Sequence, residues 1–396
     1  MKTIVIGISS SIACYKVIDL LRELKKDFNI EIIITKNTEK LIDKREFEKI
    51  LNKKIHTNMF YKNWNYKDYL KREKMEHISL ADKADLFVIC PATANTIGKI
   101  ARGVGDDLLS TSVIATNAPV LICPAMNCKM WENSIVQRNV SELRGRGYYF
   151  VKPARGKLAC GYSGVGRLAN IDIVTKAVRE LMLRKDLLKG KTIIVTAGGT
   201  VEEIDPVRVI TNKSSGKMGI YIAEEAAKMG ATVTLIRGKT EVEPYGRVRD
   251  VQISSVEELF NEIKKNVKKN DIIIHTAAVS DFSMKEKNNK KIKSGVNLHL
   301  ELTPTTKIFE KIKKLNRKIK LIGFKAEYKV SDKELVNRAY DSLKKAKADF
   351  VVANDVGKGV FGSEDNDVYV VDNKKKVKHV KGSKREIGNR ILELVI

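Results

Sequence analysis

The apolar positions of this chain gather into short, nearly continuous β-branched runs, separated by longer polar stretches with helical spacing. Runs of that kind read as strands buried on both faces, as in parallel sheets. In the first half they are Thr3–Gly7, Ile30–Thr35, Leu86–Cys90, Val120–Cys123 and Tyr148–Val151. In the second half they are Thr192–Thr196, Thr232–Ile236, Arg249–Ile253, Ile272–Thr276, Ile319–Phe324 and Phe350–Ala353. Val256–Lys269 and Lys333–Lys347 are among the helical stretches between them. The alternation starts afresh near residue 190, which predicts an α/β chain of two doubly wound parallel-sheet domains. The domains are 1–190 and 191–396, joined through the charged stretch Arg179–Lys191.

In such sheets ligands gather at the carboxyl ends of the strands. The loops Gly7–Ala13, Pro91–Thr96, Pro124–Asn127, Gly198–Thr200 and Ala277–Asp281 each follow a predicted strand. Gly7–Ala13 opens a helix with hydroxyls and backbone N–H groups, either a phosphate cradle or an ordinary Ser-rich cap. It lacks the glycine spacing of dinucleotide and P-loop fingerprints. Asn212–Lys217 is a second polar helix start, either an anion site or a solvated capping loop.

Composition narrows the classes. Apolar residues make up 43% of the 396, enough for globular cores, and no run approaches the ~20 residues that span a bilayer. The start alternates like a strand and shows no small-residue cleavage site, so it reads as the first strand rather than a signal peptide. Five scattered cysteines fit a reducing cytoplasm and individual thiols, not a disulfide framework. The balance of 74 Lys+Arg against 48 Asp+Glu gives +26, which suits anionic ligands. The lysines are spread along the chain without aromatic interleaving, so neither nucleic acid nor membrane is the expected partner.

Several motifs occur together in order: Ile8–Lys16, Glu76–Ala81, Pro91–Thr96, Gly105–Thr111, Pro124–Trp131 and Ala159–Arg167. With them the first ~180 residues resemble the flavin-containing cysteine decarboxylases, in particular phosphopantothenoylcysteine decarboxylases. The resemblance implies a flavodoxin-like or Rossmann-like domain binding FMN through Ser9, Ser10, Ser11, Thr35, Thr93, Asn95 and Ser110. It implies His77 as base, Asn127 as holder of the substrate carboxylate, and Cys160 as proton donor. Gly161, Gly164 and Gly166 fit a mobile flap around that thiol. The other four cysteines read as packing residues.

From about residue 190 the chain is similar to phosphopantothenate–cysteine ligases. The matching segments are Thr196–Thr200, Ile204–Arg208, Thr211–Gly219, His275–Asp281, Lys291–Lys293, Gly323–Phe324 and Ala353–Val356. This resemblance implies a Rossmann-like domain that activates a carboxylate with a nucleotide and Mg²⁺ and then passes it to the cysteine amine. Asn212 and Lys291 would act on the acyl-nucleotide, and Ala277, Asp281, Lys291, Thr306, Phe324 and Lys344 would contact the nucleotide. Lys291 otherwise belongs to a basic surface run, and Lys345 and Lys347 compete with Lys344 for their register. The implied nucleotide is CTP, with ATP the alternative, and the metal ligands are not specified. The implied substrates are 4′-phosphopantothenate and cysteine, and the implied assembly is a homo-oligomer with a trimer-based decarboxylase core and dimeric ligase contacts. Two rival readings are a flavin prenyltransferase, or other flavin decarboxylase, fused to an unrelated nucleotide domain, and a non-catalytic regulatory subunit. The joint presence of His77, Asn127 and Cys160 argues for an enzyme.

Overall fold

The computed structural model describes residues 1–60, 67, 75–157, 161–286, 288–293, 295, 298–359 and 362–396. The chain divides into two compact units, Met1–Lys185 and Asp186–Ile396.

In the N-terminal unit, β1 (Thr3–Ile8), β2 (Asn29–Ile34), β3 (Leu86–Ala92), β4 (Val120–Pro124) and β5 (Tyr149–Phe150) form one sheet in the order β2-β1-β3-β4-β5. Every pairing in it is parallel. Both faces are covered, which is why the strands read as nearly continuous apolar runs. Ile4, Ile6 and Ile8 pack with helix Val17–Leu24 and with Val174 and Val178 of helix Ile171–Arg184. The intervening Val5 packs on the opposite face with Phe87, Ile89 and Leu109. Each such fully buried side chain contributes ~1.5–3 kcal/mol. Helix Ile171–Arg184 takes in Arg179, which the charge pattern had placed in the join, because Val174, Val178, Leu181 and Met182 give it a buried stripe. After β5 the chain forms an antiparallel hairpin, β6 (Ala154–Lys157) with β7 (Ser163–Arg167), that the sequence pattern did not announce.

The C-terminal unit contains β8 (Thr192–Ala197), β9 (Val201–Glu203), β10 (Val209–Thr211), β11 (Thr232–Arg237), β12 (Arg249–Gln252), β13 (Ile272–His275), β14 (Phe282–Met284), β15 (Leu302–Pro304), β16 (Lys320–Glu327), β17 (Phe350–Asp355), β18 (Asp365–Asp372) and β19 (Val377–Ser383). Its main sheet runs β12-β11-β8-β13-β16-β17-β18-β19. The first six strands of that order are parallel, and β18–β19 extends the sheet as an antiparallel hairpin. Pairs β9–β10 and β14–β15 are separate small hairpins. Helix Lys217–Lys228 packs on the sheet beside the last helix, Lys384–Val395. Between these helices the Arg385 guanidinium reaches Glu224 at 2.6 Å and Glu225 at 2.7 Å and lies over the Tyr221 ring.

Candidate functional site

Each parallel sheet reverses direction of growth at one point: between β1 and β3 in the first unit, and between β8 and β13 in the second. A crevice opens beyond the strand ends at such a switch point. In the first unit the loops there are tied edge to edge. Ser9 N–H and Oγ both donate to Pro91 O (3.2 and 2.8 Å), and Thr93 N–H donates to Ser9 Oγ at 2.9 Å. Ala125 N–H donates to Ala92 O at 2.9 Å, and Met126 N–H donates to Gly166 O at 2.9 Å. Thr35 N–H donates to Ile8 O at 3.1 Å. Ser9, Thr93, Thr35 and Asn127 therefore stand on one connected rim.

The residues expected on that rim differ in what they present. Ser10 and Asn95 are exposed, and Ser11 is half-buried. Ser9 is only 1% exposed, and its hydroxyl is spent on Pro91 and Thr93, so it buttresses the rim. The Ser110 hydroxyl is likewise taken up, in a capping box with Asp107 at the start of helix Leu108–Ala115. Thr93 caps helix Ala94–Arg102, and the Thr35 hydroxyl meets that of Thr38 at 2.9 Å. Asn127 caps helix Cys128–Glu132 by accepting from Lys129 N–H at 2.8 Å, which turns its amide nitrogen away from that helix.

His77 sits in the first turn of helix Glu76–Lys83, which runs into β3 and so begins at the carboxyl edge of the sheet. Its Nδ1 is buried, and no group among the described residues partners it; burial lowers its pKa and keeps the ring neutral near pH 7. The preceding Glu76 is gripped by His56, a residue the sequence did not single out. Cys160 lies outside the described residues, on the link between β6 and β7. The other four cysteines are buried, as packing residues should be.

The glycines near Cys160 also have a packing duty. A Cβ on Gly166 would stand 2.3 Å from Met126 O, and one on Gly164 would stand 2.6 Å from Cys128 Cβ. Gly164 and Gly166 let β7 lie directly on the Asn127 loop. Gly161, with φ +84° and open space around it, serves the turn itself.

In the second unit the switch point opens into a cavity of about 850 Å³. Thr276 N–H donates to Thr196 O (3.2 Å), and Ala278 N–H donates to Gly198 O (2.8 Å), closing its floor. Asn212, Ala277, Asp281, Thr306 and Phe324 all line it. Asn212 donates one amide N–H to Val279 O at 3.0 Å, and Asp281 pairs with Lys307. Helix Lys217–Lys228 starts in the wall from Gly216 (φ +73°) with no side-chain cap, so its first N–H groups are available to an anion. Among the described residues, six cationic side chains line the cavity against four carboxylates.

Two expected contacts are not in this wall. Lys291 is exposed, and its neighbour Ile292 is bound to Asp205 and Arg208 instead. Lys344 lies over the Tyr340 ring, while Lys345, one position on, lines the cavity. The structure adds Lys384, Asn366 and His275 to the lining. The spacing Ser383-x-x-Glu386, a capping box, was the available signal for the helix start that carries Lys384. Among the described residues no cluster of three His, Cys, Asp or Glu could hold a metal, and no helix is long and apolar enough to cross a membrane.

Comparison with known proteins agrees with this division. Residues 1–183 match the family described as Flavoprotein, and residues 188–396 match the DNA/pantothenate metabolism flavoprotein C-terminal domain. The fold and sites thus define a two-module flavoprotein of the pantothenate type. Over its whole length the chain is 39% identical to the coenzyme A biosynthesis bifunctional protein CoaBC of Borreliella burgdorferi, covering 99% of that protein. It is 39% identical to the Thermococcus kodakarensis protein of the same name, over 98% of this chain and 94% of the other. A solved C-terminal domain of a CoaBC protein is 33% identical, covering 53% of this chain and 96% of its own, with a TM-score of 0.45. The chain belongs to the family of coenzyme A biosynthesis bifunctional proteins.

Proposed function

We propose that the C-terminal unit joins 4′-phosphopantothenate to cysteine at the expense of CTP, and that the N-terminal unit decarboxylates the product to 4′-phosphopantetheine with FMN. The observation that carries the ligase half is the cationic cavity at the β8/β13 switch point, with Asn212 and an uncapped helix start in its wall. There the substrate carboxylate oxygen attacks the α-phosphorus and pyrophosphate leaves. The cysteine nitrogen then attacks the acyl carbon and the nucleoside monophosphate leaves. Lys345 and Lys384 offset phosphate charge, and Asn212 holds the carbonyl oxygen with its second amide hydrogen. Asp281 is one carboxylate near the phosphates, which suits Mg²⁺ held mainly by the nucleotide's own oxygens.

The N-terminal rim suits FMN on two counts: exposed polar groups Ser10 and Asn95 at a switch point, and a neutral His77 whose buried Nδ1 lacks a partner among the described residues. When bound, FMN would supply the electron sink that an amide-linked cysteine, unable to form an imine, requires to lose carbon dioxide, and would return the same electron pair to the decarboxylated product. His77 acts as base and Asn127 holds the departing carboxylate through its amide N–H. Cys160 returns a proton at the end. The assembly is a homo-oligomer. A single assay tests the whole: purified full chain with phosphopantothenate, cysteine, Mg²⁺ and either CTP or ATP. Flavin absorbance, pyrophosphate release with CTP and conversion to phosphopantetheine are expected. A colourless protein, or one that releases pyrophosphate with neither nucleotide, refutes the proposal.

A further inference from the structure

His275 ends β13 at the switch point, lines the cavity and is only 6% exposed. Its Nδ1 stands 2.9 Å from Thr196 Oγ1 on the neighbouring strand. That oxygen also accepts Ala277 N–H at 3.1 Å. Thr196 is fully buried, so a hydroxyl hydrogen with no acceptor would be costly there. The satisfied arrangement has the hydroxyl donating to Nδ1, which puts the ring hydrogen on Nε2. Burial holds the ring pKa down at about 4, so this is an uncharged donor at working pH.

The ring is also fixed in orientation. Phe309 stacks with it at 6.2 Å between centroids and 7° between planes, and Phe309 itself rests on Gly323, where a Cβ would stand 2.2 Å from its ring. Across the crevice, Gly219 brings the first turn of helix Lys217–Lys228 onto the same spot: a Cβ there would be 2.3 Å from Thr276 Oγ1 and 2.9 Å from Thr196 O. The helix N–H groups and the imidazole therefore flank one point in the cavity floor. Donors converging from a helix start select an anionic oxygen rather than a base edge.

Building on the ligase reading, we propose that His275 Nε2–H donates to a phosphoryl oxygen of the bound nucleoside triphosphate, making His275 a binding residue that helps select a triphosphate. Two variants separate this contact from the ring's structural duty. His275→Asn keeps an acceptor where Nδ1 stood, and so keeps Thr196 satisfied, but removes the donor. His275→Gln carries an amide N–H toward the Nε2 position. Calorimetric titration of the full-length, flavin-loaded chain would use CTP, inorganic triphosphate and cytidine as separate probes, with Tm recorded for each variant.

The expected result is about 10- to 100-fold weaker binding of both CTP and triphosphate by His275→Asn, the loss of one hydrogen bond to a charged acceptor. Its Tm and flavin absorbance should be unchanged, and His275→Gln should recover most of the affinity. Unaltered triphosphate binding by a folded His275→Asn overturns the contact, as does a loss confined to cytidine. A wild-type chain that binds neither CTP nor triphosphate overturns the ligase reading, and the contact with it.

Discussion

The His56 contact offers a sharp quantitative test. His56 bridges to β2, its N–H donating to Ile32 O at 3.0 Å and its carbonyl accepting Ile34 N–H at 2.9 Å. Its ring stands between Glu76, on Nδ1, and Glu31, 3.5 Å from Nε2. The side chain is 24% exposed, and the two carboxylates hold the imidazolium protonated, raising its pKa to about 9. A pKa raised in the folded state gives stability that is fully present below the unfolded value near 6.5 and lost as pH climbs through 9. The shift of ~2.5 units corresponds to about 3 kcal/mol near pH 6, about 1.4 kcal/mol at pH 8 and almost nothing at pH 10. The downward shift of Glu31 is first of all the same interaction seen from the other partner, and is not added.

His56→Gln removes the titrating cation and keeps a polar side chain. Both tryptophans, Trp64 and Trp131, belong to the N-terminal unit, so their fluorescence reports the unfolding of that unit alone. Urea titrations of wild type and variant between pH 6 and pH 10 should show a stability gap of about 3 kcal/mol that closes as pH rises. A gap that is constant across this range, or widens toward pH 10, would refute the reasoning.

Gly166→Ala sets a Cβ against the Met126 carbonyl, which cannot swing aside, and should cost about 1–3 kcal/mol by the same fluorescence measurement. Lys345→Gln should raise the KM for the nucleotide about 10-fold or more, whereas Lys344→Gln should leave it within about twofold, as read by pyrophosphate release. Arg385→Leu takes the guanidinium from the buried Glu224 and Glu225 while Lys228 still pairs with Glu225 and Tyr245 N–H still donates to Glu224, and should lower the stability of the C-terminal unit by about 2–4 kcal/mol in calorimetric scans.

How much of this was legible in the sequence follows from what each pattern depends on. Strands such as Thr3–Ile8 and Thr192–Ala197 were readable because both faces of a parallel sheet are covered, so their interiors are almost continuously β-branched and apolar. The hairpin Asp365–Asp372 with Val377–Ser383 was not: its outer strand, Val-Lys-His-Val-Lys-Gly-Ser, is a charged edge, as edges that must resist further pairing are. Location at strand ends nominated the Ala277–Asp281 loop, and the family resemblance supplied Asn212, Thr306 and Phe324; all of them line one cavity. Neither could say which hydroxyls face outward. Ser9 and Ser110 have the residue type of a phosphate ligand, yet one joins two loops and the other caps a helix. That distinction rests on partners 82 and 3 residues away.

The lysine register, by contrast, was recoverable in principle. Helix Asp332–Ala346 buries Leu335, Ala339, Leu343 and Ala346. A helix turns 100° per residue, so positions spaced three and four apart share a face. Arg338, Asp341, Ser342 and Lys345 follow that spacing and form a polar stripe beside the apolar one, and all four line the cavity. Lys344 falls 100° away from Lys345, where it meets Tyr340. The apolar stripe fixes the phase of the helix; once the neighbouring face is known to border the β16 and β17 strand ends, Lys345 is the lysine that can reach an anion there. Family resemblance supplied a lysine-rich segment, and helical phase supplies the residue.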